Sequence, residues 1–237
     1  SLEFQHSAYM TQGALRRLKN IPPWYVSNWG SDVSLFGRLP EEQLRVKAIL
    51  QACDYYSCEC ERDIQLARKL GLRGKVMPVL PNGGGIDIQN ALQFRSASPV
   101  STRRKIVLKG YQHWAGRALV GLQALRMCND LLNEYTIDVF SASPEVKISA
   151  ELFSQDTGIA VNIIPSVSHE DMLRLYGKAR IYIGLSISDG ISTSLLEAMT
   201  MGAFPIQSCG ACADEWFLDG KGGLIVPPED PHEIAQA

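Results

Sequence analysis

The sequence predicts an α/β protein made of two units with parallel sheets. Three observations lead there. Short apolar runs alternate with longer amphipathic segments, the sequence form of repeated strand–helix–strand units. A glycine-rich break, Pro81-Asn82-Gly83-Gly84-Gly85, interrupts that alternation. Residues 181–206 join a buried strand, a Ser/Asp/Gly loop, an amphipathic helix and a second buried strand.

The elements follow in order. Residues 24–27 read as a strand and 40–52 as a helix, with Leu44, Ile49 and Leu50 on its apolar side. A short strand at 54–57 precedes a helix at 59–70, closed by Gly71. Residues 75–79 form a further strand. The break at 81–85 and the small, polar stretch 96–101 place a boundary between residues 83 and 104, giving units 1–85 and 86–237. The second series has strands at 105–108, 137–140, 161–164, 179–184 and 224–226. Its helices are at 115–132, 145–157 and 169–178, the last capped by Ser168. The chain opens without Met or a leader pattern and stops inside a helical pattern at 231–235, so both ends read as internal to a longer protein.

Composition narrows the classes. With 237 residues and 46% hydrophobic content, the chain can bury one large or two small cores. A net charge of −2 gives no basic field for nucleic acid. The run Arg103-Arg104-Lys105 reads as a solvated edge. No apolar stretch is long enough to span a bilayer. The six cysteines, including Cys58-Glu59-Cys60 and Cys209-Gly210-Ala211-Cys212, read as small buried thiols in a reducing cytoplasm. The glycine fingerprint of dinucleotide sites, the P-loop and the nucleophile elbow are absent. His169 and His232 fall near helix starts and read as surface residues.

Four segments fall at the carboxyl ends of the second series of strands, where open α/β sheets bind ligands. Lys109-Gly110 ends a strand and Gly116-Arg117 opens a helix. Two cations there can clamp a diphosphate, Arg in bidentate fashion. In Asp189-Gly190-Ile191-Ser192-Thr193, Gly190 lets backbone approach a ligand, and the helix start offers unpaired N–H groups to a phosphate. Glu197 stands eight residues after Asp189, a little over two helical turns, so the two acids are expected on a similar face. Its carboxylate, on an otherwise apolar helix, needs partners, and a ribose diol supplies them. The small-residue loop 208–215, with Gly210 at its bend, reads as a closing loop.

These segments, in this order, resemble the C-terminal domain of GT-B glycosyltransferases of the retaining group 1 (GT4-like) family. The likeness rests on Asp189-Gly190 followed by Leu196-Glu197-Ala198-Met199-Thr200-Met201-Gly202-Ala203-Phe204-Pro205, on Gly210 to Glu215, and on Gly223-Leu224-Ile225-Val226-Pro227-Pro228. Pro81-Asn82-Gly83 with Asp87 is similar to the family's entry into its second domain. The resemblance implies a GT-B architecture: an incomplete acceptor-side Rossmann-like domain over 1–85, then a nucleotide-sugar domain over 86–237 whose last helix is cut short.

It also implies roles. Glu197 binds the ribose hydroxyls, Asp189 faces the donor sugar, and the backbone from Gly190 through Ile191 and Ser192 to Thr193 meets the diphosphate. Lys109, Gly110 and Arg117 neutralise the leaving group, and Gly210 belongs to the lid. The implied activity is transfer from a nucleoside-diphosphate sugar to a glycan, lipid-linked or small-molecule acceptor with retention, without metal or other cofactor. A lipid-linked acceptor leaves peripheral association with the inner face of the membrane open. Three departures stand out: Asp189 is where Glu is usual, Tyr111 is in the usual Arg place, and most of the first domain is missing. His6 is assigned to an acceptor-facing loop. Rival readings are a non-catalytic sugar-nucleotide or glycan-binding module and a UDP-sugar epimerase or phosphorylase on the same fold. For the phosphorylase, Lys178 and Lys221 are poor candidates to hold pyridoxal phosphate.

Overall fold

Parallel pairing organises both sheets of the computed structural model, which describes residues 1–237. The chain divides into a unit of residues 1–85 together with 188–191, and a unit of 86–187 with 192–237. The four loop residues 188–191 lie by sequence in the later series but pack with the first unit.

The first unit starts with a π-helical turn at Phe4–Ala8 and helix α1 at Tyr9–Leu15. The Glu3 carboxylate accepts from the N–H groups of His6 and Ser7 at 3.1 and 2.7 Å, so His6 sits in a capped helical turn rather than a loop. Strand β1 (Tyr25–Ser27), α2 (Ser31–Ser34), α3 (Pro40–Ala52), β2 (Tyr55–Ser57), α4 (Glu61–Lys69) and β3 (Lys75–Val76) follow. The sheet runs β1-β2-β3, with Val26 beside Tyr56 and Tyr56 beside Val76.

Helix α3 buries Val46, Ile49 and Leu50, the i, i+3, i+4 stripe, whereas Leu44 is 70% exposed. Leu44 stands two residues before Val46, which turns it to the opposite side of the helix. Helix α4 begins at Glu61, leaving Glu59 in the preceding loop instead of the helix. Gly71 then takes φ +95, the left-handed turn expected after a helix end.

The second unit opens with α5 (Ile88–Leu92), whose start is fixed by the Asp87 carboxylate accepting from Asn90 N at 3.0 Å. Its strands are β4 (Lys105–Lys109), β5 (Thr136–Phe140), β6 (Val161–Ile164), β7 (Ile181–Gly184), β8 (Phe204–Ser208) and β9 (Leu224–Val226). Between and after them come α6 (Ala118–Met127), α7 (Pro144–Thr157), α8 (His169–Lys178), α9 (Thr193–Thr200) and α10 (Pro231–Gln236). The order β6-β5-β4-β7-β8-β9 is that of a doubly wound dinucleotide-type sheet, with its switch point between β4 and β7. Helix α6 starts later than expected: Gly116 pairs in antiparallel fashion with Ser186, and the residues before it form a bent loop.

One core packs Ile106, Leu108, Ile137, Val139 and Ile183 against Leu122, Phe153 and Ile234. Phe140, Tyr176 and Tyr182 meet edge to face at 5.8 and 6.1 Å. The basic run is a solvated edge only at Arg104. Arg103 is buried and donates to Ala179 O and Met201 O, the carbonyls just beyond α8 and α9, at 3.0 and 3.2 Å. Lys105 pairs with the buried Asp138, which also accepts from Asn162 Nδ2 at 2.8 Å. None of the six cysteines is in a disulfide; Cys209 is exposed and Cys128 half-buried, while the other four are buried. No helix is long and apolar enough to cross a membrane.

Candidate functional site

Strand β4 delivers Lys109 to the switch point, and the loop behind it is tied down on both sides. Gly110 N donates to Phe140 O at 2.8 Å, and Ser143 N to Gly110 O at 3.0 Å, which joins the loops after β4 and β5. A Cβ at Gly110 would come within 2.7 Å of Ala142 Cα, so this approach requires glycine. On the other side Arg117 N donates to Leu185 O and Ile187 N to Ala115 O, which joins the loops after β4 and β7. Ser208 extends the lacing: its Oγ accepts from Ser186 N at 2.9 Å and donates to Ser186 O at 2.7 Å. Gly210 lies in a 3₁₀ turn against the backbone of Ser186 and Ile187, where a side chain would clash at 2.7 Å. These loops form one hydrogen-bonded rim along the carboxyl edge of the sheet.

The charged groups on that rim have definite partners. Lys109 Nζ donates to Ser192 Oγ at 3.3 Å and stands 5.0 Å from the centre of the Tyr111 ring. Ser192 Oγ lies 2.8 Å from Ser194 Oγ, which lies 2.8 Å from the Tyr182 hydroxyl. Ser192 is the residue before α9, yet its side chain makes no capping bond to the helix. Thr193 begins the helix. Arg117 Nε pairs with Glu229 Oε1 at 2.7 Å, and its Nη1 donates to the carbonyls of Gly116 and His113. Burial lowers the affinity of His113 for a proton, and the nearby positive charges of Lys109 and Arg117 lower it further.

Glu197 is 9% exposed, between the fully buried Leu195 and Ala198. Its Oε1 lies 2.6 Å from His169 Nε2, at the start of α8. His169, read as a plain surface residue, is therefore an acid's partner. Beside it, α8 forms one wall of a cleft of about 490 Å³ with Met172 and Tyr176, across from Ser141, Lys147 and Pro165. Ser141 holds φ +51, a strained conformation for a non-glycine residue.

Asp189, Gly190 and Ile191 pack with the first unit. The helical spacing expected between Asp189 and Glu197 does not hold, because α9 begins only at Thr193 and Asp189 lies in the loop before it. The Asp189 carbonyl accepts from Arg62 Nη2 at 2.7 Å, and its Oδ1 accepts from Gly190 N at 3.0 Å. A Cβ on Gly190 would fall 2.3 Å from Glu59 Oε2.

Glu59 belongs to a buried polar group that sequence reading missed. Asn28, Asp32, Glu59 and Asp63 are all buried, Glu59 at 5% exposure. Asn28 Nδ2 donates to Asp63 Oδ2 at 2.7 Å, and Arg62 Nε pairs with Asp63 Oδ1 at 2.8 Å. Glu59 Oε1 accepts from Asn82 N at 2.8 Å. Burial, opposed by that bond and reinforced by the charge of Asp189, pushes the Glu59 carboxyl up to about 7. Burial likewise pushes Asp32 up to about 6. The available signal was positional: Asn28 and Glu59 each follow a strand end, where polar residues rarely go into the core without a task.

The fold is that of the GT-B glycosyltransferases. Superposition on the α,α-trehalose 6-phosphate synthase of Burkholderia multivorans gives a TM-score of 0.77 at 13% identity, over 99% of this chain and 61% of that one. The E. coli trehalose-6-phosphate structure bound with UDP-2-fluoro glucose gives 0.68 at 12% identity, over 90% of this chain and 58% of that one. Residues 124–237 match the family described as "Glycosyl transferases group 1". A curated relative, the UDP-N-acetylglucosamine–peptide N-acetylglucosaminyltransferase GtfA subunit of Streptococcus pneumoniae serotype 4, is 22% identical over 162 residues. That match takes in 67% of this chain but spans only 31% of the relative's length.

Proposed function

We propose that the second unit holds a nucleoside-diphosphate sugar and that the whole protein transfers its sugar to a glycan, lipid-linked or small-molecule acceptor with retention. The observation that carries this reading is Glu197, a carboxylate buried in an apolar helix one turn beyond the end that Lys109 approaches through Ser192. A ribose diol donates two hydrogen bonds to such a carboxylate. The N–H groups at the start of α9, with Ser192 and Thr193, offer a seat for phosphate oxygens. Lys109 and Arg117 carry fixed positive charge toward a leaving diphosphate, whose negative charge grows as the glycosidic bond breaks. Arg117 exchanges Glu229 for the phosphate, or shares its guanidinium between them. The cleft bordered by Met172 and Tyr176 has the size and mixed lining for a nucleobase next to the ribose carboxylate. The donor contacts named here are all second-unit residues.

The relatives support this reading by what they handle: one is named for transfer from UDP-N-acetylglucosamine, another holds a UDP-sugar analogue. The test is calorimetry with UDP and GDP on the chain and its Glu197→Ala variant. Binding is expected in the first and lost in the second with cooperative unfolding preserved. Equal affinity in the two would sink the reading.

A further inference from the structure

Helix α8 begins with a residue whose contact burial does not explain. The His169 side chain is 68% exposed, yet its Nε2 lies 2.6 Å from Glu197 Oε1. The lone pairs of a carboxylate set among Leu195 and Ala198 need donors, and the imidazole supplies one from the solvent side. The backbone that presents it is fixed. Ser168 Oγ accepts from Asp171 N at 3.2 Å and lies 2.7 Å from Asp171 Oδ2, which caps α8 one residue before His169. Two further turns of the same helix place Met172 and Tyr176 along the cleft. One rigid element thus carries both a wall of the cleft and the partner of Glu197.

We infer that His169 is a positioning residue for the nucleoside: it holds Glu197 Oε1 and keeps the carboxylate turned so that Oε2 meets the ribose hydroxyls. This rests on the donor reading of Glu197. Without the imidazole the carboxylate must be ordered at the moment of binding, which weakens binding by the entropy of that ordering and by one charge-assisted hydrogen bond. Glutamine at this position can still donate from its amide; alanine cannot. Because His169 is mostly solvated, neither change should disturb the fold.

The experiment is UDP calorimetry on the full chain with His169→Ala, His169→Gln and Glu197→Ala, each with its thermal unfolding curve. His169→Ala is expected to weaken UDP about tenfold. His169→Gln should recover most of that loss, with the unfolding midpoint unmoved in both. If Glu197→Ala loses UDP while His169→Ala does not, the inference falls and the donor reading stands. Equal losses in the alanine and glutamine variants overturn it too. So does tighter binding by His169→Ala, which would make the imidazole a competitor of the ribose. Unchanged affinity in Glu197→Ala removes the donor reading itself. A nucleotide-free readout decides the contact alone. The ¹⁵N resonance of His169 Nε2 should move on Glu197→Gln, and an unmoved resonance overturns the inference.

Discussion

Glu59 and Glu197 are both buried glutamates in βα loops or helices, and they differ in what holds them. Glu59, in the first unit, accepts from a backbone N–H of Asn82 and is pressed by the Gly190 backbone, partners that do not exchange. Glu197, in the second, meets a mostly exposed side chain on the solvent side, His169. A carboxylate fixed by backbone and pushed toward its neutral form is a structural wedge. One held by a replaceable side chain on the solvent side is, in the proposed reading, where the ligand docks. Equal burial therefore says little about role; the exchangeability of the partner says more.

The comparison breaks most sharply if Glu197→Ala leaves nucleotide binding intact. The expected loss in UDP affinity is about a hundredfold, measured by calorimetry, with little change in unfolding midpoint. Next comes Glu59→Gln. Burial pushes the native carboxyl up to about 7 while the unfolded one keeps the ordinary value of 4.5, so the folded state binds the extra proton between those values. Stability from this group is present below the unfolded value and declines as pH rises through the folded one. Glutamine removes that decline. Denaturant unfolding across about pH 5 to pH 8 should show a gain of about 2 kcal/mol at the alkaline end. A wild-type curve that does not fall over this range would break the structural half of the comparison.

Lys109→Met sharpens the ligand half. It should weaken UDP about tenfold and leave uridine unaffected, since only the diphosphate meets the charge. An equal loss for both would move Lys109 away from the phosphates. The smallest effect is expected for Gly190→Ala, whose methyl must displace the Glu59 carboxylate end, a cost of about 1 kcal/mol in denaturant unfolding. A neutral result would mean that the Glu59 carboxylate is not wedged at all.

Much of this architecture was legible, and the misses have physical causes. Helix 169–178 and strand 224–226 were read to the residue, because a serine cap and a bounded apolar run are local signals. Lys109 and Ser192 drew attention by their place after strands, and Glu197 as a carboxylate on an apolar helix. His169 was not linked to Glu197 because 28 residues separate them, and only the packing of α8 beside α9 brings them together. Arg103 looked like a surface charge since nothing local announces that two helix ends will present carbonyls to it. Cys58-Glu59-Cys60 drew attention to its sulfurs, while the buried acid between them is the residue with the shifted chemistry. Leu44 was placed on the apolar side with Ile49 and Leu50, although the helical period of Val46, Ile49 and Leu50 turns it out.

The position of β4 has a consequence for synthesis on the ribosome. It is the first strand of its sheet to be made and sits at the centre, with β5 on one side and β7 on the other. Its partner on the second side arrives late: Ile106 pairs with Ile181. At ordinary rates of elongation the chain between them takes about 4–15 s to emerge. For that interval an apolar strand edge stands open on the nascent chain, and the second unit cannot close its sheet until most of it has left the tunnel.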